Sequence, residues 1–202
     1  MVTIGPGMVP LGLPTAAYAS APSSVVDASV WAALATVHTL EAEFVQVQHR
    51  TILRQPLESR GTVRFTRPDT LRWEVASPAR STFTLDHGVA RMVYPDLQMD
   101  ETIDLAAVPD AQRLASSLLV WLQADTTAVE RDFLPTYTSS PPSVHLVPRD
   151  PRLASLLAGI DLRFAQSPWR VATVTLTEPD GDRVECRFQH VVLDGVLQPD
   201  PG

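Results

Sequence analysis

The segment Phe65–Pro78, "FTRPDTLRWEVASP", joins two runs of alternating apolar and polar residues at an arginine–proline pair. Alternation with a period of two is typical of antiparallel strands that have one solvated face. If the first run keeps its parity, Arg67 lies on the apolar side, where its guanidinium needs hydrogen-bond acceptors. The alternative is that Pro68 breaks the parity and the guanidinium reaches solvent.

The same alternation continues on both sides of this segment. It runs from Glu41 to Tyr94 and again from Ile160 to Phe188, with Pro, Gly and Asp residues at the turns. Amphipathic helical patterns cover Ser23–Leu40 and Pro109–Asp125, and a proline-rich connector follows the second helix. We therefore predict an α+β fold, mainly antiparallel β, in which short helices cover the apolar face of a meandering sheet.

Composition limits the classes of partner. The chain has 202 residues, which favours a single domain, and a formal net charge of −7 with no lysine. An acidic chain without basic runs is a poor candidate for binding phosphate backbones, so we expect no nucleic-acid partner. We also expect a monomer. Cys186 alternates with Val184 and Phe188, which is typical of a small core residue.

The first 23 residues are small, apolar and interrupted by proline. The segment "AAYASA" has the small-residue pattern of a signal-peptidase site, but no arginine or lysine precedes it. We interpret residues 1–23 as either a degenerate export signal or a disordered leader. Residues 24–197 are then one domain, and 198–202 form a short tail.

Catalytic motifs are missing from the sequence. It contains no nucleophile elbow, zinc-protease motif or glycine-rich phosphate loop, and its five histidines are scattered. The acidic pair Asp180 and Asp182 belongs to a predicted hairpin turn. We predict no enzyme, no cofactor and no metal; His190 and Asp86 come nearest to a polar site.

The apolar face allows two interpretations that alternation does not separate. Its residues either form a packed core beneath the helices or line a chamber whose methionines adapt to a ligand. The candidate lipid-binding residues are Val63, Phe65, Leu71, Trp73, Phe83, Leu85, Met92, Met99, Leu118, Trp121, Phe164 and Phe188.

Several motifs in a fixed order resemble the periplasmic lipoprotein carriers of the LolA type. The pattern F-x-Q followed by G-x-x-x-(F/W)-x-R-P-x-x-(L/F)-x-W and a proline is occupied by Phe44, Gln46, Gly61, Arg67, Pro68, Leu71, Trp73 and Pro78. A second segment matches through Asp86, Gly88, Tyr94, Pro95 and Gln98. The resemblance runs from about Val26 to Val196.

The resemblance implies an unclosed (half) β-barrel with a helical lid that encloses a hydrophobic cavity for lipoprotein acyl chains. It also implies transport across the periplasm, from an inner-membrane ABC transporter to an outer-membrane acceptor. Arg67 would bond to the lid helices and close the cavity, and Leu71 would lie near its mouth. Two alternatives stay open: a carrier of another lipid or amphiphile, and a protein-binding or sensor module without a cavity.

Overall fold

The computed structural model describes the main chain of residues 25–198 and side chains from Ser29 onward, except at positions 110, 114, 117 and 118. The predicted leader, residues 1–23, and positions 199–202 of the predicted tail lie outside the described residues.

One antiparallel sheet contains all of the described strands. They are β1 Thr39–His49, β2 Leu57–Thr66, β3 Thr70–Ser77, β4 Ser81–Asp86, β5 Val89–Tyr94, β6 Met99–Asp104, β7 Phe133–Ser139, β8 Pro142–Pro148, β9 Gly159–Ala165, β10 Arg170–Thr177, β11 Arg183–Leu193 and β12 Val196–Leu197. The strand order is β6-β5-β4-β3-β2-β1-β11-β10-β9-β8-β7, and β12 pairs with β11. Two meanders thus join where β1 pairs with β11, and β6 and β7 do not pair with each other within residues 25–198.

Within residues 25–198, four short helices accompany the sheet: α1 Val25–Ala35, α2 Pro109–Leu119, α3 Thr126–Asp132 and α4 Pro151–Ala154. Single turns of 3₁₀-helix lie at Pro95–Leu97 and Leu105–Ala107. The predicted class, a mainly antiparallel and unclosed sheet with a few short helices, is confirmed.

Both helical predictions extended too far. The pattern over Ser23–Leu40 ends as a helix at Ala35, because Thr39 and Leu40 pair with Thr66 and Phe65 of β2 instead. The pattern over Pro109–Asp125 ends as a helix at Leu119. In both cases the last residues of the amphipathic pattern belong to the segment that follows the helix.

The predicted proline-rich connector was wrong, since it contains β7 and β8. Pro135 lies within β7, which is an end strand of the sheet, where a residue without an N–H group disrupts few ladder bonds. Pro142 and Pro148 are the first and last residues of β8. Proline content therefore obscured two strands whose hydrogen bonding tolerates it.

The apolar faces of the strands form continuous rows across the sheet. One row runs Leu40, Phe65, Leu71, Leu85, Ala90 and Ile103 through paired positions of β1 to β6. On the other meander, Leu146, Ile160 and Leu162 are fully buried. Helix α1 contributes the buried Val30 and Trp31, and the Trp31 indole donates to the Tyr137 hydroxyl at 3.0 Å.

A close approach between strands sets the shape of this face near Gly61. The β2–β3 register shifts between Arg60 and Gly61, and a Cβ atom at Gly61 would lie 1.9 Å from the Glu74 carbonyl oxygen. The same Cβ would lie 2.7 Å from Cζ of Phe44. Glycine therefore makes room for the Phe44 ring. This ring packs against the indole of Trp73, with 4.4 Å between the ring centroids.

Candidate functional site

An apolar pocket of about 390 Å³ lies between the inner face of the sheet and α2. Its volume is within the range of about 300–1,000 Å³ that is usual for small-molecule sites. Both meanders contribute to it, together with α2 and the segment that follows α2. Its lining is Gln46, Leu71, Trp73, Phe83, Ala90, Met92, Ile103, Leu105, Ala111, Ala115, Trp121, Leu122, Val174, Leu176, Val184 and Cys186.

Five of the predicted lipid-binding residues line this pocket: Leu71, Trp73, Phe83, Met92 and Trp121. Val63 and Phe188 border a much smaller void that also touches Trp121, and Phe65 borders another one beneath α1. These positions share the apolar face but lie where side chains fill the space.

The remaining four predicted residues lie elsewhere. Leu85 is buried in the core, and Phe164 packs edge-on against Trp31 at 6.1 Å between ring centroids. Met99 is 42% exposed and lies outside the pocket, because it is at the far end of β6 from Ile103. The side chain of Leu118 lies outside the described residues.

Sequence reasoning missed much of the lining. Ala111 and Ala115 present one small face of α2, and Ala90 does the same on β5. Small residues opposite large ones leave space that larger side chains would fill. The run of alanines on one helical stripe was the available signal, although it does not identify a void without the opposing sheet.

Aromatic rings form one side of the pocket and pack against one another. Trp73 lies against Phe44, and its ring is perpendicular to that of Phe188, with 6.1 Å between the centroids. Trp121 approaches Phe188 from the helical side, also at 6.1 Å. Such pairs restrict the ring orientations of Trp73 and Trp121, whereas the unbranched side chain of Met92 in the lining has more rotamer freedom.

The Arg67 side chain follows directly after β2 and bonds to two other segments of the chain. One is the end of α1 with the residues after it, and the other is the segment after α2. Its guanidinium is half-buried and donates from Nε to the Val37 carbonyl at 2.5 Å, from Nη2 to the Leu34 carbonyl at 3.0 Å and from Nη1 to the Gln123 carbonyl at 2.7 Å. The Gln123 amide donates in return to the Pro68 carbonyl at 2.8 Å.

These acceptors explain why a cation is stable on the inner side of the sheet. Leu34 lies in the last turn of α1, and Val37 follows that helix. Carbonyls at a helix C-terminus lack intrahelical donors and have a negative partial charge, so a guanidinium there gains charge-assisted hydrogen bonds. Arg67 thus attaches α1 and the segment after α2 to the end of β2.

A family model, "Outer membrane lipoprotein carrier protein LolA", matches residues 35–200. The chain belongs to the LolA family. The resemblance that the motifs indicated is confirmed, and the description of the family is that of a carrier. No curated protein matches this LolA-family chain in sequence.

Solved structures with a similar fold have low sequence identity to this LolA-family chain. A Vibrio parahaemolyticus domain described as an outer membrane lipoprotein-sorting protein is 10% identical, with a TM-score of 0.48, over 85% of this chain and 92% of its own. A LolA superfamily protein from Nitrosomonas europaea is 11% identical, with a TM-score of 0.43, over 88% and 96%. A chain of the Pseudomonas aeruginosa MucA/MucB complex is 13% identical, with a TM-score of 0.45, over 88% of this chain and 57% of its own.

Within the described part of this LolA-family chain, Cys186 is the only titratable residue in the pocket lining. Burial raises the pKa of its thiol to about 12, so the group stays protonated at neutral pH and is a poor nucleophile. Its sulfur lies 3.5 Å from Oε1 of Gln46, to which it donates. The pair is the polar part of an otherwise apolar lining.

The polar residues noted in the sequence lie outside the pocket. Asp86 accepts from the Thr70 hydroxyl and contacts His87; these bonds lower the pKa of Asp86. His190 is exposed beside Glu43, with 3.1 Å between Nδ1 and Oε2. They therefore do not form one polar site with each other or with the pocket.

The acidic turn of β10 and β11 has a structural role. Asp182 accepts hydrogen bonds from the Thr51 hydroxyl and, at 2.7 Å, from the Thr51 N–H group, and Arg50 bonds to both Asp182 and Glu178. These contacts, the Thr51 hydroxyl above all, lower the pKa of Asp182 and hold the β1–β2 loop.

Among the described helices, none is long and apolar enough to cross a bilayer.

Proposed function

We propose that this chain is a periplasmic, monomeric carrier that binds the acyl chains of lipoproteins and transfers them from the inner to the outer membrane. The observation that carries the proposal is the apolar pocket of about 390 Å³ under α2. Membership of a family of outer membrane lipoprotein carriers supports the same cargo. The partners would be an inner-membrane ABC transporter that loads the pocket and an outer-membrane acceptor that empties it.

Burial of hydrocarbon provides the free energy for loading. Each methylene group removed from water contributes about 0.8 kcal/mol, so an acyl segment of about ten methylenes contributes roughly 8 kcal/mol before entropic costs. Release then requires a state of the carrier in which the pocket binds the chain less well.

Arg67 provides such a state if its bonds form when the pocket empties. Its three acceptors belong to α1, to the residues just after α1 and to the segment after α2, and Arg67 is only partly buried, so water can replace those bonds when the helices move. In this proposal a bound acyl chain displaces the helices, and re-formation of the Arg67 bonds favours its release.

Ligand binding tests the pocket directly. Protein purified without detergent from a bacterial periplasm should co-purify with lipid in native mass spectrometry, and the delipidated protein should bind a fluorescent fatty acid. Ala111→Trp, which places an indole in the pocket, should abolish probe binding while thermal unfolding stays cooperative. Ser116→Trp, on an exposed position of the same helix, is the matched control.

Equal probe binding by the two tryptophan variants would contradict the assignment of the pocket. Wild-type protein that is consistently lipid-free and ignores the probe would contradict the carrier function and favour a protein-binding module.

Transfer kinetics test the role of Arg67. Arg67→Leu should load fluorescent acyl probe but deliver it to acceptor vesicles several-fold more slowly, because the bonds that compete with the ligand are missing. Arg64→Leu, which removes an exposed arginine of β2 that is ion-paired with Glu41 at 3.3 Å, should deliver at the wild-type rate. Delivery by Arg67→Leu at that same rate would refute the role.

A further inference from the structure

A polar row interrupts the apolar inner face of the sheet. Gln46 of β1 is paired with Ser59 of β2 on one side and with Cys186 of β11 on the other. The neighbouring row, two residues along, consists of Gly61, Phe44 and Phe188. The polar row therefore borders an apolar surface, and Gln46 and Cys186 from it line the pocket.

The contact between Gln46 and Cys186 orients the amide. The protonated thiol donates to Oε1, with 3.5 Å between the sulfur and the oxygen, so the carbonyl half of the amide faces β11. Among the described residues, no acceptor bonds to the Nε2 group of Gln46. A half-buried side chain in the lining of an apolar pocket thus keeps two free N–H donors.

Trp121 also contributes to the lining, but its indole N–H group is not exposed to the empty part of the pocket. Its side chain is 5% exposed, and its Nε1 atom is buried without a hydrogen-bond partner in the described structure. Buried donors are almost always paired, because an unpaired one forfeits its bond to water. The free amide donors of Gln46, in a lining without a carboxylate among the described residues, therefore favour a ligand that brings a neutral acceptor.

We infer that the pocket binds an acylated ligand whose ester or amide carbonyl lies inside it and accepts a hydrogen bond from the Gln46 amide. This inference rests on the proposed function and narrows its substrate class. Ligands of pure hydrocarbon leave the Gln46 amide donors unpaired. Carbonyl-bearing acyl chains satisfy a donor while their methylenes contact Leu71, Phe83 and Met92.

Two lipids that differ at one group test the inference. Monopalmitoylglycerol has an ester carbonyl, and the hexadecyl ether of glycerol has the same chain length without it. Each is titrated against delipidated protein carrying the apolar fluorophore N-phenylnaphthylamine, and the displacement gives the two affinities. Wild-type protein should prefer the ester by about 3- to 10-fold, which corresponds to one neutral hydrogen bond.

Gln46→Leu should bind the ether as the wild type does and lose the preference for the ester. The exposed Gln189→Leu, the same substitution on the outer face of β11, should retain it.

The outcomes separate this inference from the proposed function. If neither lipid displaces the fluorophore, the carrier proposal fails. If both lipids bind wild-type protein equally well, or if Gln46→Leu still prefers the ester, the carrier proposal stands and the inference is overturned.

Discussion

Replacing Arg67 by leucine should destabilise the fold far more than an exposed arginine substitution does. Leucine keeps the apolar stem but removes the donors to the carbonyls of Leu34, Val37 and Gln123. These carbonyls then have no guanidinium partner, and α1 and the segment after α2 lose their side-chain hydrogen bonds to Arg67. The free energy of unfolding should therefore fall.

The size of the effect follows from the geometry. A hydrogen bond to a charged group contributes about 1.5–3 kcal/mol, so three of them set an upper limit of about 5–9 kcal/mol. Because Arg67 is half-buried, water can reach the released carbonyls and recover part of that free energy. We expect a loss of about 2–4 kcal/mol, or roughly 5–15 °C in the melting temperature of a domain of this size.

Urea unfolding followed by tryptophan fluorescence measures the loss, and hydrogen exchange locates it. Amides of residues 29–37 and 119–124 should exchange faster in Arg67→Leu, whereas those of β9 and β10 should not. Arg67→Lys keeps the charge but not the three-way fork of donors, so its stability should lie between those of the wild type and Arg67→Leu.

Arg64→Leu is the control, because its 66% exposed side chain forms a surface ion pair of little expected value. The reasoning would be refuted if Arg67→Leu and Arg64→Leu unfolded at the same urea concentration with equal protection of α1.

Three further predictions concern separate parts of the molecule. Gly61→Ala should lower stability by about 3 kcal/mol or more, measured by thermal unfolding, because its methyl group collides with the Glu74 carbonyl; an unchanged melting temperature would contradict this. Asp182→Asn should lower the stability of the protein at pH 7. Because the pKa of Asp182 is depressed in the folded protein, the difference in stability from the wild type should disappear as the pH falls below about 4. Urea midpoints at pH 7 and pH 3 measure this difference, and an equal difference at both pH values would exclude the carboxylate charge as its cause. The Cys186 thiol, with its pKa raised to about 12, should react slowly with iodoacetamide at both pH 7 and pH 9 and rapidly in urea; fast alkylation of the native protein would show that the thiol is accessible.

Local patterns were sufficient to predict most of the sheet. Alternation at Val63, Phe65, Leu71 and Trp73 identified the inner face, because side-chain direction in a strand depends only on parity. The same parity placed Arg67 on that face, and the structure supplies the acceptors there. Strands β7 and β8 were missed because proline disfavours central strands, whereas its positions here are an end strand and two strand ends.

The hollow part of the face depended on tertiary structure. Leu85 and Leu71 lie opposite each other on neighbouring strands and are both buried, yet Leu71 lines the pocket and Leu85 does not. A void exists where α2 presents alanines to the sheet. The distance between α2 and the sheet depends on the packing of the whole chain. Sequence alone thus determined which residues face inward, and packing between distant segments decided which of them contact empty space.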